Sequence, residues 1–283
     1  MEVHSLLTGK RGVSLPFTDE CPQIVPDSGS FQEMVNYVLD YATKAKWRYV
    51  EWRDGAHFPG EVNGSEVYYT HELSLRKTEK ELFSNLREST RRNIKKAIRA
   101  GVRAQIDHSL ESIKFFCHLN CLTRKRHGLP PQPFSFFGKL FECVVSKGSG
   151  FVVSALHSGK VIASAVFFHF GSRAVYKYGA SDLGHQDLRP NNLIMWEAIK
   201  WCRGKGFESF NFGRTEPENK GLLQFKRGWG AQESQLKYHR YDVKSKAFRR
   251  ERVNSGGLMN KVFARTPLSM LGLLGRMLYR HAG

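Results

Sequence analysis

The sequence predicts an α/β protein built on one mixed sheet with helices on both faces. Three observations predict it. The alternating segments GFVVSALHSG, KVIASAVFFHFG and RAVYKYGAS follow one another with only HSGK and GSR turns between them, which implies antiparallel hairpins. Helical periodicity fills other stretches, most clearly residues 78–100. The long apolar segment LIMWEAIKWCRGKG and the short aromatic strand SFNFGR then continue the mixture of helix and strand.

The elements follow in order. GVSLPF reads as a strand that runs into a Pro-rich loop holding Cys21. Phe31, Met34, Val35, Val38, Leu39 and Tyr41 fall at helical spacing. RYVEWR and VYYTHELSL alternate as strands on either side of a Gly-rich turn, DGAHFPGEVNG. Residues 78–100 predict one helix, opened by a Thr78–Glu81 capping box and closed by Gly101. Leu82, Phe83, Leu86, Ile94, Ala97 and Ile98 supply its apolar stripe. VRAQID leads into a helix over Leu110 to Arg126, then the turn HGLPPQP and a helix around Phe134 to Lys147. After the three hairpin strands come the loop GHQDLRPNN, the long helix, SFNFGR, a short helix GLLQFKRG, and a last strand QLKYHRYD that closes the set.

Charge points to the partner class. The net charge is +18, from 44 Lys and Arg against 26 Asp and Glu, which favours nucleic acid, an anionic membrane face or a nucleotide-linked substrate. The charge is not spread evenly. On the helix over 78–100, Arg87, Arg91 and Lys95 align at i, i+4 and i+8, and Arg99 continues the row. Like charges stacked so cost a few tenths of a kcal/mol per pair, so the row reads as a polyanion-contacting ridge. From Lys226 onward the chain has thirteen Lys and Arg against three acids. Residues 259–280 set Met259, Val262, Phe263, Met270, Leu271, Leu274, Met277 and Leu278 at helical spacing among Arg265, Arg276 and Arg280. Such a basic amphipathic segment either lies on an anionic membrane or docks on the core as a closing helix.

Other classes fall away. The five cysteines are an odd number without a disulfide framework, as expected of reduced thiols in the cytoplasm. Cys117 and Cys121 share a helix face but lack further ligands, so no metal site is expected. The first residues, MEVHSLLTGKRGV, lack a signal peptide's apolar core, and no window reaches the roughly 18 apolar residues of a spanning helix. A soluble or peripheral protein is expected.

No GxSxG, P-loop, GxGxxG or HExxH occurs, so the site must be built from cations, aromatics and backbone amides. The N-terminus of the long helix, after RPNN, offers amides and a positive dipole end to an anion. With the strand ending at FGR, this predicts that Tyr178, Asn191, Asn192 and Arg214 converge at one sheet edge, while Tyr176 simply packs.

YKYGASD, RPNNLIMWEAIKWCRGKGFESFNFGRT and GLLQFKRGWG, with NLRESTRRNIKKAIRAGV and LTRKRHGLPPQPFSFF, resemble the FemAB-type transferases of the Gcn5-related acyltransferase fold. The branch they resemble is found beside exopolysaccharide and exosortase gene sets, and the likeness covers roughly residues 13–242. It implies a partial first acyltransferase-like domain over 1–100, a complete second over 101–243 and a basic tail over 244–283. It implies aminoacyl or acyl transfer onto an amine of a cell-envelope or polysaccharide precursor, at the inner face of the membrane. Lys226 beside Phe225 would stabilise the oxyanion, and Arg214 and Trp229 would help hold substrate. No cofactor would be tightly bound; the co-substrate would be aminoacyl-tRNA, or acyl-CoA, for which DLRPNN lacks the usual glycines. Two alternatives stay open: an acyl-CoA-dependent N-acyltransferase, and a non-catalytic RNA- or membrane-binding module on the same fold.

Overall fold

The computed structural model describes residues 1–5, 9–53, 58, 66–249, 258–279 and 281. Most of the turn DGAHFPGEVNG and Arg280 lie outside the described residues. The strands are β1 (Glu2–Ser5), β2 (Gly9–Val13), β3 (Tyr49–Arg53), β4 (Glu66–Ser74), β5 (Arg103–Asp107), β6 (Gly150–His157), β7 (Lys160–Phe170), β8 (Arg173–Ser181), β9 (Ser209–Asn211), β10 (Gln232–Asp242) and β11 (Ala247–Phe248). The helices are α1 (Ser28–Lys44), α2 (Glu79–Ser84), α3 (Glu88–Arg99), α4 (Leu110–Arg126), α5 (Phe134–Leu140), α6 (Pro190–Gly204), α7 (Lys220–Arg227), α8 (Leu258–Arg265) and α9 (Leu268–Tyr279).

The sheet is continuous and mixed, in the order β1-β2-β3-β10-β4-β9-β8-β7-β6-β5, with β11 on β10. Hairpins join β6, β7 and β8, and β5 pairs antiparallel with β6 although α4 and α5 lie between them in the chain. The parallel pairs are β2 with β3 and β8 with β9. One departure from expectation concerns β10. It does not close the C-terminal set but lies between β3 and β4, so the last strand completes the sheet begun by the first residues. The strand expected at GVSLPF is β2, which starts earlier, at Gly9, and ends at Val13.

Helices cover both faces. α3 and α6 pack with Phe151, Phe167, Phe210 and Trp196 in one core cluster. α4 and α5 enclose Ile113, Phe116, Phe137, Val152 and Val166 in another. At about 25 cal/mol per Å² of apolar area, burial of such large side chains dominates the stability of both layers. The helix expected over residues 78–100 is two helices. The Thr78–Glu81 capping box opens α2 as expected. The chain then breaks at Asn85–Arg87, where Arg87 is extended and its N–H donates to Gly228 O at 3.0 Å. The break seats against the Gly-Trp-Gly turn, where a Cβ on Gly228 would stand 2.4 Å from Thr90 Oγ1. Arg87 therefore leaves the ridge; Arg91, Lys95 and Arg99 remain on α3.

Candidate acyl-transfer site

The site is organised by one extra residue in β8. Val166 pairs with Tyr178 and Phe167 with Tyr176, so Lys177 is a bulge that opposes no partner. A bulge reverses the alternation of the strand. Tyr176 accordingly points toward the α6 side, where its ring lies 5.6 Å from Phe167. Tyr178 points to the other face and packs among Phe116, Phe136 and Phe137 beneath α4 and α5.

A cavity of about 750 Å³ opens beyond the bulge. Its walls are Tyr176, Gly179, Ala180 and Ser181 of β8, the start of α6, Thr123 and Arg126 at the end of α4, and Leu222 and Phe225 of α7. Thr123 fixes the end of β8 to α4: Ser181 N donates to Thr123 Oγ1 at 3.1 Å. α7 is held by Arg227, whose guanidinium grips Glu233 at 2.6 and 2.7 Å. The chain enters α6 through a left-handed residue, Arg189 (φ 60), which is strained for a side chain with a Cβ. That turn places Arg189, Asn191 and Asn192 in the cavity wall. Burial pushes the Tyr176 phenol up to about 12, so it stays protonated and can donate a hydrogen bond into the cavity. Its oxygen rests on Gly179, where a Cβ would come within 1.8 Å.

A second cavity, about 620 Å³, lies along the N-terminal half of β8. It is walled by Phe17, Asp19, Glu20, Phe168, Lys177 and Asn211, among others. The two cavities flank the bulge: Tyr176 lines the first and Lys177 the second. Asp19, in the wall of the second cavity, bridges β8 and the turn after β9, pairing with Lys177 Nζ at 3.1 Å and accepting from Arg214 N at 3.3 Å. Glu20 is held by Thr70 Oγ1 (2.8 Å) and Asn211 Nδ2 (3.3 Å), and no Lys or Arg pairs with it among the described residues.

The expected residues divide. Asn191, Asn192 and Phe225 come together at the first cavity. Tyr178 does not, because the bulge turns it away. Arg214 faces elsewhere too: its guanidinium lies 4.2 Å from the Tyr68 ring and 5.2 Å from the Tyr238 ring, and meets Glu216 at 3.3 Å. Trp229 is fully buried in the core with its ring against Phe225 and Phe212. It is a packing residue, not a substrate contact. Lys226 is 2% exposed, and its ammonium donates to Gly213 O at 2.6 Å and Arg214 O at 3.1 Å. Burial pushes it down to about 8, while Asp19 and Glu216 favour its charge. As placed, it braces the turn after β9 instead of facing a reacting carbonyl. Sequence reasoning missed Tyr176, Arg126 and Arg189 as cavity residues, and Glu20 as an unpaired carboxylate. On the ridge, Arg91 spends one nitrogen on Ser84 O at 2.8 Å, and Lys95 lies over the Phe83 ring.

Residues 84–227, just over half of the chain, match the acetyltransferase (GNAT) domain family, and the chain belongs to it. Its sequence relatives are FemAB-type enzymes. Over 79 residues it is 34% identical to the lipid II:glycine glycyltransferase of Staphylococcus haemolyticus (strain JCSC1435), a match spanning 26% of this chain and 19% of that protein. The enzyme of the same name from Staphylococcus aureus is 32% identical over 78 residues, 25% of this chain and 18% of its own. The chain thus spans about a fifth of the length of the curated relatives it matches. Among solved structures, FemX superposes with a TM-score of 0.58 at 15% identity, over 75% of this chain and 77% of that one. L-PGS from Bacillus licheniformis gives 0.53 at 12% identity, over 88% and 78%. These likenesses establish the fold.

Proposed function

We propose that the chain transfers an aminoacyl group from aminoacyl-tRNA onto an amine of an anionic cell-envelope or polysaccharide precursor. The observation that carries the choice of donor is the start of α6. A pyrophosphate cradled by a helix terminus needs several free amides. Here Pro190 has none, and Asn192 N already donates to Arg189 O at 3.1 Å. The cavity offers side-chain cations instead, Arg126 and Arg189, suited to the backbone of a nucleic-acid end. Arg91, Lys95 and Arg99 would extend that attraction along the tRNA. The glycyltransferase relatives support aminoacyl transfer, and the family's acetyl-CoA chemistry is the second reading.

An ester donor is already activated, so the protein positions an amine and stabilises charge as it develops. In this reading the acceptor enters the second cavity as an ammonium, and Glu20 takes its proton. The amine nitrogen forms a bond to the ester carbonyl carbon, and the Tyr176 phenol donates to the carbonyl oxygen as it gains charge. The carbon–oxygen bond to the ribose then breaks, and the ribose oxygen takes the second proton that the attacking nitrogen gives up as it becomes an amide. Lys226 is a positioning residue that fixes the floor through the Gly213 and Arg214 carbonyls; acting as the oxyanion donor would require it to leave both. Such an enzyme works in the cytoplasm, at the inner face of the membrane where lipid-linked precursors are presented.

The test is transfer of radiolabel from a mixed pool of aminoacyl-tRNAs to amine-bearing envelope precursors. Label should move to the amine with the intact protein and at least tenfold more slowly with Glu20→Gln. Consumption of acetyl-CoA with the tRNA esters untouched would overturn the reading.

A further inference from the structure

α9 is apolar on two sides. Its inner side docks on the core: Leu271 and Gly275 are buried, and a Cβ on Gly275 would stand 2.2 Å from Pro131 O. Tyr279 stacks on Phe17 at 5.6 Å and meets Phe136 at 5.0 Å. This settles the closing-helix alternative for that side. Among the described residues nothing covers the outer side. Met270, Leu273 and Met277, at i, i+3 and i+7, are 58%, 59% and 54% exposed. On α8, Met259 and Val262 are likewise exposed. Methionine and leucine stripes on a helix that already buries its other face need a second apolar medium.

The surrounding charge says which medium. From Leu258 to Gly283 the chain carries Lys261, Arg265, Arg276 and Arg280 and no Asp or Glu. A self-pairing face would set those cations against their own copies, whereas an anionic bilayer complements both the apolar stripe and the charge. No helix among the described residues is long and apolar enough to cross a membrane, so α9 would lie in the interface.

We propose that α8 and α9 form a membrane-docking element that seats Met270, Leu273 and Met277 among the acyl chains of an anionic lipid surface, with Lys261, Arg265 and Arg276 at the headgroups. The contact does not depend on the transfer reaction, but it deepens that reading. Phe17, stacked on Tyr279, also lines the second cavity, so docking holds the acceptor side of the site close to the membrane.

The experiment is co-sedimentation of the full chain with phosphatidylglycerol–phosphatidylcholine vesicles and with phosphatidylcholine vesicles, beside the Leu273→Glu/Met277→Glu variant. Both replaced side chains are exposed, so the fold should be kept, as circular dichroism will show. Binding to anionic vesicles that falls at least tenfold in the variant supports the proposal. Equal binding of both proteins would assign the attraction to net charge alone and overturn it. So would absence of vesicle binding together with a concentration-dependent dimer that the variant abolishes. Loss of transfer activity with vesicle binding intact would fault the transfer reading and leave the docking element standing.

Discussion

Replacing Lys226 by methionine tests the brace directly. The ammonium is 2% exposed and donates to two buried carbonyls, of Gly213 and Arg214. Removing it leaves two acceptors unsatisfied, at about 1–3 kcal/mol each. Against this, a charge whose pKa is held near 8 instead of 10.5 costs the folded state on the order of 3 kcal/mol at neutral pH, and the variant is relieved of that cost. The two terms partly cancel at pH 7, leaving the variant less stable by up to roughly 3 kcal/mol. Their balance then changes with pH. Above about 8 the folded protein releases the Lys226 proton, while the unfolded chain keeps it until about 10.5. The unfolded state binds more protons in that window, so wild-type stability rises with pH relative to the variant. Urea denaturation of both proteins between pH 7 and pH 10 should show the gap widening by about 2–3 kcal/mol. Other titrating groups are common to both and drop out of the difference. A gap that stays flat would mean that the ammonium is not a buried brace, and would return Lys226 to the list of groups free to meet substrate.

Further expectations follow from the same geometry. Tyr176→Phe should lower kcat by about tenfold or more with little change in melting temperature, because only the donor into the cavity is lost; circular dichroism and transfer kinetics together check it. Trp229→Ala should cost about 3–5 kcal/mol of stability as a large core side chain is removed, and a thermal melt should show the loss before any change in KM. Arg91→Glu/Lys95→Glu/Arg99→Glu should weaken tRNA binding and flatten its dependence on salt, measured by filter binding across a salt series.

Much of the architecture was legible because its signals are local. The three hairpin strands, the Thr78–Glu81 capping box and the long helix each announce themselves within a dozen residues. The misses share a cause: they depend on partners distant in sequence. Period-two alternation treats Tyr176 and Tyr178 as equivalent, and nothing in YKYGASD marks Lys177 as a bulge; only the register with β7 separates them. The break at Arg87 lies in a continuous apolar and basic rhythm, and arises because Gly228 and Gly230 meet it from the far end of the domain. Lys226 after Phe225 looks like an exposed base on a short helix until the turn after β9 closes over it. Glu20 sits in a loop without regular pattern, where a functional carboxylate and a solvated one read alike.

In the proposed reaction the donor is an RNA ester and not a thioester of coenzyme A. Parallel calorimetric titration of aminoacyl-tRNA and acetyl-CoA, at low and moderate salt, tests it most directly. The expected result is micromolar tRNA binding that falls steeply with salt and weakens in Arg126→Ala/Arg189→Ala, with no heat from acetyl-CoA. Stoichiometric, salt-insensitive binding of acetyl-CoA without binding of tRNA would contradict it.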